Sequence, residues 1–360
     1  MINMKPETVT REKRIVFMIG TVALAVAAGV AGAAMVANYM IGSISVPVNT
    51  TIVPKRPTAK SDATKVSAAS RSAVTFYKKR SGVTLLEKLP LPTDAVGSGM
   101  VLTADGWLVT ATSVLAGNGP LIAVFADRTA VAVDPIKAVN DAATGVAYLK
   151  TDAQHLTVAV FGDDAVLQGA DPVFSVGVDS IIASTVLAPR QLPVASRADY
   201  VESTERLARR IVMGKSGLAG SAVVDGNGQV VGLDQGDGTA VPETFVIGIL
   251  RDLFKDGKIS RPRAGFHFVS LDILPDAKSV GLAESGALVV GDGKTRAVSQ
   301  GSAAEAAGLR EADVITSVER DRINNEETLS ERLQDYAAGA KVELTVERDG
   351  KQIKVPLTLQ

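Results

Sequence analysis

The sequence predicts a mainly β protein, a barrel-type β domain followed by a compact α+β domain, behind an N-terminal transmembrane helix. Three observations carry this. Short strand-like runs from Ser72 to Leu233 are split by turn signals roughly every 8–12 residues, the spacing of an all-β barrel or sandwich. From Pro262 onward, strand-like and short helical runs alternate. Ile15 to Ile41 is a nearly unbroken apolar run, and about 20 such residues span a bilayer core.

In chain order, residues 1–14 carry Lys5, Arg11, Lys13 and Arg14, and the first cation after the apolar run 15–41 is Lys55. That asymmetry puts the N-terminus in the cytoplasm and everything after Gly42 outside, as in a single-pass membrane protein. A cleaved signal peptide, processed among the small residues Ala31 to Ala34, is the competing reading. Ala25, Gly29, Ala33 and Ala37 have helix-packing spacing, but so Ala-rich a segment shows it by chance. Residues 42–71, with Val46-Pro47-Val48 and Val53-Pro54-Lys55-Arg56-Pro57, read as an extended linker containing a short helix near Ala63 to Ser70.

Residues 72–258 form the β domain. Its predicted strands are Ala73–Tyr77, Met100–Thr103, Trp107–Ala111, Leu121–Phe125, Ala130–Val133 and Val146–Lys150, then Pro172–Val176, Ile181–Leu187, Ile211–Met213, Ser221–Val224 and Val230–Leu233. Asp105-Gly106 and Asn227-Gly228 lie between apolar runs, the strongest short hairpin signal. Phe245 to Lys255 reads as a helix stopped by Asp256-Gly257. Residues 263–360 form the α+β domain, with strands at Phe266–Val269, Ala287–Val290 and Val314–Val318. A hairpin follows across Asp349-Gly350. Helices are expected at Ser302–Ala307 and Glu326–Ala338, the latter with Leu329, Leu333 and Tyr336 on one face.

Composition excludes several functions. The formal net charge is -1, which argues against nucleic acid, because phosphate binding needs clustered excess cation. There is no Cys, which removes disulfides, thiolate metal ligands and a thiol nucleophile. The only histidines are His155 and His267, which leaves little for metal binding or base catalysis. No cofactor is expected.

Three motifs stand out in the β domain: the run from Gly97 to Ser113, Asp141 to Lys150, and Gly217-Leu218-Ala219-Gly220-Ser221. They resemble the HtrA/Deg family of exported proteases, in which a trypsin-like domain precedes a PDZ domain. The run Gly97-Ser98-Gly99 through Asp105-Gly106 to Thr110-Ala111-Thr112-Ser113 is similar to the stretch leading to the catalytic histidine. Asp141 to Lys150 is similar to the segment of the catalytic aspartate, and Gly217-Leu218-Ala219-Gly220-Ser221 to that of the nucleophile. In the C-terminal domain, Gln300 to Ile315 is similar to the PDZ run ending Gly-Asp-Val-Ile, and Arg263-Ala264-Gly265-Phe266 to the carboxylate loop. The resemblance covers Ser72 to Gln360 and implies a chymotrypsin/trypsin-like double β-barrel followed by a PDZ domain.

The same alignment puts Ser113 where the histidine belongs, Gly145 where the aspartate belongs and Ala219 where the nucleophile belongs. Acyl transfer by this route needs a hydroxyl, an imidazole to take its proton and a carboxylate to orient the imidazole. A methyl cannot attack, a hydroxyl has no pKa near neutrality, and glycine orients nothing. The expectation is a degenerate site with no catalytic residue, in which Gly217, Leu218 and Ala219 are a vestigial oxyanion loop. The alternative is an active serine endopeptidase using Ser216 or Ser221, with Lys215 as base. His155 reads as a surface residue and Asp141 as a turn residue.

The resemblance implies that the PDZ groove takes protein C-termini or unfolded peptide segments. Ala264, Gly265 and Phe266 would form the carboxylate nest, Phe268 would line the groove from the strand, and Leu329 and Leu333 from the helix. Leu333 reads equally as core, and Arg263 equally as a carboxylate aid or a free surface charge. His267 is expected to face solvent, as are Glu326, Glu327 and Glu331. The resemblance also implies homo-oligomers, trimers in particular, or assembly with an active relative. The expected function is a membrane-anchored pseudoprotease acting as adaptor, scaffold or regulatory subunit; a purely structural envelope protein is a third reading.

Overall fold

The computed structural model describes residues 62–80, 84, 90–275, 285–324 and 327–360. The expected transmembrane helix 15–41, the N-terminus 1–14 and most of the linker 42–71 lie outside them. Among the described residues, no helix is long and apolar enough to cross a membrane.

The short helix expected near Ala63 to Ser70 is present, and it is docked on the β domain. Helix α1 (Ala63–Ala69) is capped by Asp62, whose Oδ1 accepts from the Thr64 and Lys65 N–H groups. Val66 is buried among Met100, Tyr148, Val224 and Val230, and the Asp62 N–H donates to Gly226 O at 2.8 Å. One apolar residue on a polar helix was enough to dock it, so the β domain begins ahead of Ser72.

Seven strands follow: β1 (Ala73–Lys78), β2 (Ala95–Val101), β3 (Trp107–Ala111), β4 (Leu121–Phe125), β5 (Ala130–Val133), β6 (Val139–Asp141) and β7 (Val146–Lys150). They pair antiparallel in the order β5-β4-β1-β2-β3-β7-β6. A single turn, α2 (Thr112–Leu115), leaves the end of β3. The β2–β3 hairpin needs its glycine: Gly106 has φ +103, and a Cβ there would sit 2.6 Å from Thr151 O.

The next strands are β8 (Pro172–Val176), β9 (Ile181–Gln191), β10 (Val201–Ser203), β11 (Arg210–Met213), β12 (Ala222–Val224), β13 (Val230–Asp234) and β14 (Thr239–Pro242). All but β10 close a barrel in the order β11-β14-β13-β12-β8-β9. The expected helix Phe245–Lys255 is two helices, α3 (Glu243–Ile247) and α4 (Leu250–Asp256), broken at Gly248. Gly257 ends α4 in the left-handed conformation, φ 65. The two β halves share one core: Met100, Val109 and Tyr148 pack with Val176, Val241, Phe245 and Leu253. Each such side chain contributes about 1.5–3 kcal/mol when buried. The Tyr148 hydroxyl donates to Val246 O at 2.7 Å, and burial pushes its pKa up.

The C-terminal domain holds β15 (His267–Ser270), β16 (Ala287–Val289), α5 (Ala303–Ala306), β17 (Val314–Val318), β18 (Asp321–Arg322), α6 (Leu329–Leu333), β19 (Lys341–Arg348) and β20 (Lys351–Thr358). Its sheet runs β10-β15-β16-β17-β19-β20, with β18 on β17, so one strand comes from the preceding domain's sequence. Helix α6 is much shorter than the expected Glu326–Ala338. Thr328 starts it with a capping box, its Oγ accepting from the Glu331 N–H while the Glu331 side chain accepts from the Thr328 N–H. Gln334 ends it; Glu326 lies outside the described residues. Glu331, expected on a solvated face, is only 8% exposed.

Candidate functional site

Pairing of β3 with β7 brings the segment of Ser113 beside Gly145, and the loop between β11 and β12 that carries Ala219 meets β2. At the mouth of α2, the Thr112 N–H donates to Gly145 O at 2.9 Å. The Ser98 N–H donates to Ala219 O at 2.8 Å. Gly97 lies between them: a Cβ there would meet Val114 Cγ2 at 2.4 Å and Ala219 O at 2.9 Å. From the other side, Gly236 approaches Ala219 Cβ, and Gln235 Oε1 lies 3.8 Å from where a Cβ on Gly145 would stand. Ser113 is exposed; Gly145 and Ala219 are half-buried. The three motifs meet at one place, and the groups they bring there are a hydroxyl, a hydrogen and a methyl.

The loop 217–221 has a second property that motif reading missed. Asp234, fully buried at the end of β13, turns its carboxylate onto it. Asp234 Oδ2 accepts from the Gly217 N–H at 2.7 Å and from the Ser175 hydroxyl at 2.5 Å, and Oδ1 from the Gly236 N–H at 2.8 Å. The Gly217 N–H is thereby committed inward, so the loop does not offer it to a carbonyl in the cleft. Leu218 points outward, 44% exposed. The signal was present in sequence only as an acidic residue ending an apolar strand.

The alternative nucleophiles are poorly placed. Ser216 Oγ accepts from the Gly238 N–H at 2.7 Å, Ser221 is 2% exposed, and no hydrogen bond joins Lys215 Nζ to either. Lys215 is exposed, and its backbone N–H donates to Ser184 Oγ. His155 is exposed in the loop after β7, with φ 60. Asp141 is the turn residue expected: it accepts from the Ala143 N–H at 3.1 Å and the Thr144 hydroxyl at 2.7 Å. Its bidentate partner, Arg261, could not be read from sequence.

In the C-terminal domain, Ala264, Gly265, Phe266, Phe268, Leu329 and Leu333 come together, all but Gly265 at 2% exposure or less. All but Gly265 belong to one core with Ile315 and Leu344, so Leu333 is core. Gly265 has φ +79, and a Cβ on it would stand 2.3 Å from Ser302 Cβ. Arg263 is exposed, its backbone paired with Gln360. His267 is half-buried, its Nδ1 3.0 Å from Arg296 O.

The groove between β15 and α6 is not open. Strand β10 pairs antiparallel with β15, placing Val201 against Val269, Glu202 against Phe268 and Ser203 against His267. Beyond it the Thr204 N–H donates to Phe266 O at 3.1 Å, and the Gly265 N–H donates to Glu205 Oε1 at 2.7 Å. From α6, the Ser330 hydroxyl donates to Ser203 O at 3.3 Å. Glu202 is 3% exposed; burial, with Glu331 nearby and Arg209 opposing, pushes its carboxyl up to about 7. Burial also raises Glu331. Arg190 joins Glu331 to the fully buried Asp164 carboxylate, at 3.9 and 3.0 Å.

Among the described residues, no group of three or more His, Asp or Glu is arranged to hold a metal ion.

Comparison with known proteins agrees with this layout. The trypsin-like peptidase domain family matches residues 97–233 and the PDZ domain family residues 265–359. The chain is 29% identical over 293 residues to the serine protease Do-like HtrA of Lactobacillus helveticus, covering 75% of this chain and 70% of that protein. It is 29% identical over 285 residues to the probable periplasmic serine endoprotease DegP-like of Rhizobium meliloti (strain 1021), of whose length it spans 53%. The solved structure of the HtrA-type protease AlgW with tripeptide superposes with TM-score 0.58 at 22% identity, over 82% of this chain and 96% of that one, a likeness of fold. Both domains match in the same order, and the chain is a homologue of the HtrA/DegP-family proteases, a trypsin-like domain followed by a PDZ domain.

Proposed function

We propose that this chain is a membrane-anchored pseudoprotease of the cell envelope, its two domains outside the cytoplasm, which binds protein C-termini or unfolded peptide segments through the PDZ groove. It acts as an adaptor, scaffold or regulatory subunit, alone as a homo-oligomer or with an active relative. One observation carries the reading: the segments of Ser113, Gly145 and Ala219 meet beside Gly97, and none of the three side chains can move a proton at neutral pH. The inward turn of the Gly217 N–H to Asp234 supports it further, because a tetrahedral intermediate would find that donor already taken. The names of the relatives, periplasmic in one case and solved with a tripeptide in another, support the location and the ligand class.

The test is covalent labelling of the full chain by a fluorophosphonate probe beside an active HtrA protease. No labelling is expected. Labelling that disappears in Ser216→Ala or Ser221→Ala would establish a working nucleophile and overturn the reading.

A further inference from the structure

The strand lying on β15 has the form of a ligand. A PDZ domain takes an extended C-terminus as an added strand and holds its carboxylate with backbone N–H groups. Residues 201–205 run antiparallel to β15 with their C-terminal end at Gly265, the polarity an external C-terminus would adopt. Glu202 and Thr204 face the domain, 3% and 1% exposed, while Ser203 and Glu205 are half-buried, the period-two pattern of a docked strand. Thr204 exchanges hydrogen bonds with Phe266, giving its N–H to Phe266 O at 3.1 Å and accepting the Phe266 N–H on Oγ1 at 3.4 Å. A chain that ended at Thr204 would carry its carboxylate beside Gly265; here the Glu205 side chain supplies one.

We propose that residues 201–205 are a built-in ligand of the PDZ groove, with the Glu205 carboxylate in the place of a partner's terminal carboxylate. The proposal rests on the reading of this groove as a peptide site. An external C-terminus enters only when the segment lifts off β15. The segment joins β9 to β11 of the barrel, so a bound partner also frees a loop of the trypsin-like domain. A tethered competitor acts at an effective concentration of about a millimolar, and external peptides are weakened about tenfold or more.

The segment itself supplies the probe. A fluorescent peptide with the sequence of residues 198–204, ending in a free carboxylate at Thr204, is titrated into the full chain, into Glu205→Gln and into Thr204→Pro, with its C-terminal amide as control. Glu205→Gln keeps the shape and removes the charge; Thr204→Pro removes the N–H given to Phe266. The free acid is expected to bind either variant about tenfold tighter or more than the unchanged chain, and the amide to bind all three weakly. Equal binding of the acid to the unchanged chain and both variants overturns the proposal and leaves the groove a peptide site. Amide binding as tight as the acid overturns the carboxylate mimicry, and the proposal with it. No binding to any of the three overturns the proposal and the peptide-site reading together.

Discussion

Arg261 holds Asp141 with two nitrogens, Nε to Oδ1 at 3.0 Å and Nη2 to Oδ2 at 2.6 Å, and its Nη1 reaches Gln334 Oε1 at 3.1 Å. Asp141 closes a turn of the trypsin-like domain, Arg261 lies in the connection between domains, and Gln334 caps α6. One guanidinium therefore fixes the PDZ helix against the barrel. Asp141 is buried, 2% exposed, and Arg261 is half-buried.

Arg261→Ala leaves the Asp141 carboxylate buried without its cation. Such a loss costs about 3–5 kcal/mol. Arg261→Lys is expected to recover only part of this, because an ammonium cannot form the fork. Equilibrium urea unfolding of the full chain measures both. A change in Arg261→Ala within the range of ordinary surface substitutions would show that the fork contributes little.

Ala219→Ser restores a hydroxyl to a site with no base, and no peptide hydrolysis is expected from it. Even the triple variant Ser113→His, Gly145→Asp, Ala219→Ser meets two obstacles. Space at 145 is open, but the backbone there has φ +80, which costs a side chain about 1–2 kcal/mol. The Gly217 N–H also remains on Asp234. The triple variant is expected to label with fluorophosphonate at least a hundredfold more slowly than an active relative, since one missing oxyanion donor alone costs about that much. Labelling at the relative's rate would show that the loop rearranges freely.

The three motifs were legible in the sequence because each is local, a glycine-marked turn beside an apolar strand; pairing of β3 with β7 and the Ser98–Ala219 backbone bond then bring them together. The strands were legible for the same reason, down to the Asp105-Gly106 and Asn227-Gly228 hairpins, although only the second of the two expected barrels closes. What escaped was non-local or short. Asp141 and Arg261 are 120 residues apart, and nothing in either neighbourhood announces the other. Strand β10 is three residues with a glutamate at its centre, so no apolar run marks it; its partner across the domain boundary makes it a strand. Glu331 read as solvated from the helical pattern alone, but its capping-box bond to the Thr328 N–H and its pairing with Arg190 turn it inward, 8% exposed. Helix α6 lost its expected first turn because Thr328, with Glu331 three residues on, is the stronger start signal.

Gly265→Ala would be the obvious way to spoil the carboxylate nest, and it is the wrong tool. Its Cβ would stand 2.3 Å from Ser302 Cβ on a backbone with φ +79. Overpacking costs about 1–3 kcal/mol and the left-handed residue about 1–2 more. Gly265→Ala is therefore expected to destabilise the PDZ domain by several kcal/mol in urea unfolding, and to disturb Ser302, which caps α5. Lost peptide binding in this variant would report damage to the loop. An unfolding midpoint equal to the unchanged chain would show that the loop accommodates the methyl and is looser than its contacts imply.

The docked segment is also expected to respond to pH through Glu202. With the segment down, Glu202 faces Phe268 and the interior, and burial raises its carboxyl to about 7, Glu331 adding and Arg209 opposing. With the segment released into water the same group titrates near 4.3. Between these values the docked state keeps a proton that the released state has lost. The difference in bound protons, released minus docked, is then negative, so docking weakens as pH rises through this window and levels off above about 7. The ceiling on the effect is on the order of 3 kcal/mol. Amide exchange on the full chain reads this directly. After correction for intrinsic rates, protection of the Thr204 and Gly265 N–H groups is expected to fall between pH 5 and pH 8. Glu202→Gln, which cannot ionise, flattens most of that fall. Protection that holds or grows with pH in the unchanged chain would mean that Glu202 is ionised where it lies, its charge met by Arg209, and that the groove is closed equally at both ends of the range.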